Sequence, residues 1–172
     1  MIIKNISIQA MLHVINFDMK NAATILENIH LRNKPEKALW TSTWKEPIEE
    51  IGWIKWSIRE DFSMPGHNTL YKVYPKKNLK IYEIDKLEDY LSSDLPKFLF
   101  LDYYLIDYKK LKEEGYDAVH FTDNGAYLGH NFNIDWNIMT VLNGIDCEST
   151  VWLNNHQIDH IEKIYNDVWE VI

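Results

Sequence analysis

The sequence predicts an α+β fold. Short β-prone runs are interrupted by helical patterns without regular βαβ alternation. Neither a GxGxxG turn after a strand nor a GxxxxGK[ST] loop is present, which removes the two commonest nucleotide-binding frameworks. The 172 residues suit one domain spanning 1–172, with no internal repeat and no low-complexity linker.

Residues 2–8 and 11–17 (MLHVINF) read as strands. Asp18 is placed to cap a helix over 22–29, where Ala22, Ile25, Leu26 and Ile29 share a face. The run 38–44 (ALWTSTW) is a short β-prone segment. Residues 46–62 read as a helix, with Pro47 in its first turn, acids near its positive end, and Ile51, Ile54 and Ile58 along one face. Residues 70–75 and 79–84 alternate apolar and polar and read as strands joined by a basic turn. A helix is expected over 85–95 and another over 97–114, ended by Gly115. Residues 116–123 read as a strand and 124–133 as a loop. Residues 134–143 fit helix or strand. Asn143-Gly144 is a turn signal before a strand over 147–154. Residues 156–172 are expected to close the chain as a helix, or a helix and a strand.

Hydrophobic residues make up 46% of the chain, enough for a core, and seven Trp and ten Tyr exceed ordinary needs. Surplus aromatics either pack or line a pocket for a flat ligand. The formal charge of -8 excludes nucleic-acid binding by bulk electrostatics, although a local basic patch would still permit brief action on a nucleic acid. Cys147 is the only cysteine, so neither an internal disulfide nor a cysteine-based zinc site is available. The N-terminus lacks a secretory pattern, and no apolar run reaches the roughly 18–20 residues that span a bilayer. A cytoplasmic protein without membrane attachment is therefore expected.

Familiar catalytic motifs are missing. His156 and His160 are four apart, but no HExxH accompanies them, and a polar helix surface accounts for both; no metal is expected. There is no GxSxG. Cys147 reads as a small packed residue rather than a nucleophile. What remains is a set of polar interruptions in apolar strands: His13 in MLHVINF, Thr41-Ser42-Thr43 between Trp40 and Trp44, and Glu148 at the mouth of STVWL. Each alone has an ordinary structural explanation. Trp53, Trp56 and Trp152 fit a core or a pocket equally.

In order, KALWTSTW (37–44), GWIKWS (52–57), GYDAVHF (115–121) and GIDCESTVWLN (144–154), preceded by His13, resemble the ADP-ribosyltransferase fold of bacterial and phage NAD-dependent toxins. The resemblance covers roughly residues 10–155. It implies split, mostly antiparallel central sheets that form an NAD cleft flanked by helices. It implies that His13 holds the nicotinamide-ribose region, that Thr41, Ser42 and Thr43 support the nicotinamide pocket, and that Glu148 orients the ribose and stabilises its cation. By the same resemblance Arg32 would bind the pyrophosphate, with Arg59 the other arginine, and Trp40 or Tyr71 would stack on nicotinamide. The chemistry suits these types. Breaking the nicotinamide–ribose bond develops oxocarbenium character, which a fixed carboxylate stabilises in a water-poor cleft. Nicotinamide departs neutral, so one carboxylate suffices.

The sequence departs from the arginine-modifying branch, which has Arg on the first strand and a Glu-x-Glu pair; here Asp146 holds the upstream acid position. Its histidine on the first strand resembles the diphtheria-like branch, but Trp53 and Trp56 stand where that branch has tyrosines. The acceptor therefore stays open between protein and nucleic acid. The implied activity is NAD-dependent ADP-ribosyl transfer by a toxin, phage effector or anti-phage protein, with a cognate antitoxin as a further partner. NAD glycohydrolysis is the nearest chemical alternative. The rival of another class is an acidic, aromatic-rich inhibitor or interaction protein without catalysis.

Overall fold

A computed structural model describes residues 3–4, 6–13, 35, 38–62 and 69–172, with the backbone alone at Ile3, Lys4, Leu12, His13 and Asn155. The expected helix over 22–29, its Asp18 cap, the end of the 11–17 strand and Arg32 lie outside the described residues. The strands are β1 (Ile3–Lys4), β2 (Gln9–His13), β3 (Leu39–Thr43), β4 (Thr69–Pro75), β5 (Leu79–Ile84), β6 (Lys97–Phe100), β7 (Tyr103–Ile106), β8 (Ala118–Phe121), β9 (Ser149–Trp152) and β10 (Ile158–Tyr165). The helices are α1 (Gly52–Arg59), α2 (Leu87–Leu91), α3 (Tyr108–Glu113), α4 (Asp123–Tyr127) and α5 (Trp136–Leu142).

The expected α+β class is observed. Eight strands form one run of hydrogen-bonded neighbours, β1-β5-β8-β9-β3-β2-β4-β10, and β6-β7 form a separate hairpin. Among the described residues only β5 and β8 pair in parallel. Strand alternation divides the core between the two faces of the sheet. Val119, Phe121, Val151 and Leu153 point into a cluster with Tyr108, Leu111 and Leu142. Trp152, Leu39, Met11 and Tyr71 point the other way into a second cluster. Ala10 and Leu70, alternating with Met11 and Tyr71, meet Ile51 and Ile54 in a third.

Several elements differ from the expectation. The helix expected over 46–62 is a 3₁₀ turn (Ile48–Glu50) and α1, separated by extended backbone at Ile51. That break rotates the buried face to Gly52, Ile54 and Ser57, so Ile58 lies past its edge and is 51% exposed. Replacing Ile58 with Lys should change stability by less than about 0.5 kcal/mol. Ile54→Ala should cost about 2–5 kcal/mol. Urea unfolding of the two variants checks the assignment.

The strands at 70–75 and 79–84 do not pair with each other: β4 joins β2 and β10, and β5 joins β1 and β8. The helix expected over 97–114 is the β6–β7 hairpin followed by α3. KFLF and YYLI are rich in aromatic and β-compatible residues, and Leu101 turns the chain at a φ of 53°.

The expected loop over 124–133 contains α4 and a 3₁₀ turn. Thr122 caps α4 by accepting from the Gly125 N–H at 3.1 Å. Gly125 is a packing glycine, since a Cβ there would lie 1.9 Å from the Ile84 carbonyl oxygen. The ambiguous run 134–143 is α5, capped by Asp135. The C-terminal segment is a 3₁₀ turn (Asn155–Gln157), β10 and a second 3₁₀ turn (Val168–Glu170) rather than an α-helix, so His156 and His160 share no helix face. His160 stacks on Tyr74, ring centroids 4.1 Å apart. Among the described residues no helix is long and apolar enough to cross a membrane, and no cluster of ligating side chains has metal-site geometry.

Candidate functional site

The site lies where β8, β9 and β3 run side by side. Thr150 is the cross-strand partner of both Thr41 and His120. Glu148 immediately precedes β9, beside the Thr43 end of β3. An acid followed by STVW is pulled inward because the strand behind it is buried throughout. The Glu148 residue is only 4% exposed.

A buried carboxylate needs donors. The Thr43 backbone N–H donates to Glu148 Oε2 at 2.8 Å, and the Thr43 hydroxyl donates to Oε1 at 3.0 Å. The Ser42 hydroxyl donates to the Glu148 backbone carbonyl at 2.9 Å. Burial pushes the Glu148 carboxyl above the usual carboxylate range, against the two Thr43 bonds and Lys45, which favour the charge; Asp123 opposes it. Lys45 and Asp123 face each other at 3.6 Å.

Behind this contact runs a relay of hydrogen bonds. The Trp152 indole N–H donates to the Thr41 hydroxyl at 2.9 Å. Thr41 donates to Gln9 Oε1 at 3.0 Å, and the Gln9 amide reaches Thr43 Oγ1 at 3.5 Å. Each donor is aimed toward Glu148, an orientation in which successive bonds polarise one another.

α1 begins against the same carboxylate. A Cβ on Gly52 would lie 2.9 Å from the Glu148 carbonyl oxygen, 3.1 Å from Ser42 Oγ and 3.4 Å from Glu148 Oε2. Only glycine lets the helix start this close. Gly52→Ala should therefore cost about 1–3 kcal/mol, read as a lower urea midpoint at unchanged slope.

The candidates from the sequence divide. Glu148, Ser42 and Thr43 meet directly, and Thr41 joins them through Gln9. The Thr41 hydroxyl already serves Trp152 and Gln9 in a fully buried position, so it braces the site rather than facing a ligand. His13 is set apart by register. Gln9 is the β2 residue that pairs with Thr43, and His13 pairs with Thr69 four residues further along. At ~3.3 Å per residue that is about 13 Å from the Glu148 level. Trp40 shares a face with Ser42, opposite to Thr41 and Thr43, and packs against the helix-side cluster. Tyr71 is buried in the second cluster and presents no open ring face. Arg32 is outside the described residues. Arg59 pairs with its neighbour Glu60 at 2.7 Å on the surface. Trp53 and Trp56 meet edge to face at 5.6 Å. Asp146 is half-buried two residues before Glu148, as is Cys147 between them.

Four residues of the site were not among the candidates: Gln9, Gly52, His120 and Thr150. His120 carried a readable signal, a polar side chain alternating with the core residues Val119 and Phe121. Its Nδ1 lies 2.9 Å from Thr150 Oγ1 and 3.6 Å from Glu148 Oε1. Comparison with family models, characterised proteins and solved structures returned no match in any of the three.

Proposed function

We propose that this chain is an NAD-dependent ADP-ribosyltransferase in which Glu148 is the working carboxylate. The observation that carries the reading is a nearly dry carboxylate at a strand end, fixed through both oxygens by one residue of the adjacent strand. NAD is the substrate. The C1′–N bond breaks with its electron pair leaving on nicotinamide, which departs neutral. The ribose is left as an oxocarbenium ion, and a protein or nucleic-acid nucleophile adds at C1′ and loses a proton. A carboxylate held rigid in low dielectric favours that cation without reorganising. The resemblance adds its order of strands: the segments bearing His13, Thr41–Thr43 and Glu148 are β2, β3 and β9, consecutive neighbours in the sheet. The catalytic argument rests on Glu148 and Thr43, and not on His13.

One observation favours the non-catalytic rival. Tyr127, Phe132 and Trp136 are 64%, 85% and 67% exposed within ten residues, the side-chain types that anchor protein interfaces. With a charge of -8, such a surface would suit a basic partner.

Incubation with NAD separates the two. The transferase reading expects nicotinamide release, together with an NAD-dependent rise in melting temperature, because ligand binding to the folded state stabilises it. The absence of both nicotinamide release and a thermal shift would overturn it and leave the interaction protein.

A further inference from the structure

The Glu148 site contains an imidazole that the proposed chemistry does not use. His120 and Thr150 are cross-strand partners on β8 and β9, so their side chains share a face. Glu148, two residues before Thr150, projects to that face as well. The result is a triangle of His120 Nδ1, Thr150 Oγ1 and Glu148 Oε1, with edges of 2.9 Å and 3.6 Å from Nδ1. Both ionisable members are enclosed: the His120 side chain is 13% exposed and that of Glu148 5%.

We propose that His120 is a positioning residue for Glu148, its imidazolium holding the carboxylate in the charged, correctly aimed form. This rests on the reading of Glu148 as the working carboxylate. Burial alone drives that carboxyl toward its neutral form. A cation 3.6 Å away opposes this strongly, because low dielectric amplifies the attraction. Among the described residues, Lys45 favours the charge on Glu148 and Asp123 opposes it, and these two already face each other, while β5 sets the carboxylate of Glu83 in register with His120. β3 contributes hydroxyls only, from Thr41, Ser42 and Thr43. α1 has no acid in its first turn. The segment before β9 brings Asp146 and Cys147. Among these groups His120 is the one that gains and loses charge between pH 5 and 8 as a type, so the site should respond to pH in that window.

The test follows the Glu148 carboxyl carbon and the His120 ring nitrogens by NMR across pH in the intact chain. Coupled groups share macroscopic steps, so each probe is expected to report both. In His120→Asn, which keeps a polar partner for Thr150, the Glu148 transition is expected to become single and to move to higher pH. Nicotinamide release by this variant is expected to fall about tenfold in kcat on the acid side of the profile. KM should be unchanged, and the variant should converge on the unsubstituted protein at alkaline pH. A merely structural histidine would lower activity at every pH. Independent single transitions in the unsubstituted protein would overturn the proposal, and this readout needs no variant to fold. Coupled transitions without any nicotinamide release would sink the NAD reading while leaving the pair established.

Discussion

Trp152→Ala is expected to lower folding stability by about 3–5 kcal/mol, the range for deleting a buried large aromatic side chain. Trp152 is fully buried on β9, between its cross-strand partners Leu39 and Ala118, in the cluster that holds Met11, Tyr71 and Val73. Its removal opens a cavity on the face of the sheet that carries the polar relay. It also removes the first donor of that relay, the indole N–H to Thr41. Trp152→Phe isolates the second effect. It keeps most of the ring volume and leaves Thr41 without a donor, at a cost of about 1–3 kcal/mol for an unsatisfied buried group. Urea unfolding followed by far-UV circular dichroism separates the two variants without relying on the fluorescence of seven tryptophans. An Ala variant as stable as the parent would mean that this face of the sheet is not packed as described.

Trp152 also shows where the sequence was readable. It fitted a core and a pocket equally, because periodicity places a residue on a face but does not say what covers that face. The strands around the site were legible from residue type: LWTST and STVW are β-prone, and the turn signal Asn143-Gly144 precedes the second. What failed was longer-range. Residues 70–75 and 79–84 looked like a hairpin because they are adjacent, yet each joins a different part of the sheet. KFLFLDYYLI was read as helix although its aromatic content favours strand. Gly125 and Gly129 looked like loop glycines, but they sit where a Cβ would strike the backbone of Ile84 and Leu142, a reason visible only in three dimensions. At the site, residue type found Glu148 and Thr43. Register decided the rest: a shift of four positions along β2 puts Gln9 in the row with Thr43 and carries His13 away.

Glu148→Gln is expected to reduce nicotinamide release about a hundredfold, or ~3 kcal/mol of transition-state stabilisation, with little change in NAD affinity. Gln has the same shape. Its carbonyl can still accept the Thr43 N–H, and its amide can face the Thr43 hydroxyl, which rotates to accept. The fold should therefore survive, and the lost quantity is the negative charge. Stability should move the other way. Burial raises the Glu148 carboxyl above its ordinary 4.5, so its favourable contribution is full below that value and is lost as pH rises through the raised one. Gln does not titrate. The variant should match the parent in acid and exceed it in melting temperature at neutral pH. A variant that becomes inactive while growing more stable identifies a charge kept in the core for its chemistry and not for the fold. A variant that loses activity and stability together at neutral pH would make Glu148 a tie between β3 and β9, and the aromatic surface at Tyr127, Phe132 and Trp136 would become the place to look for function.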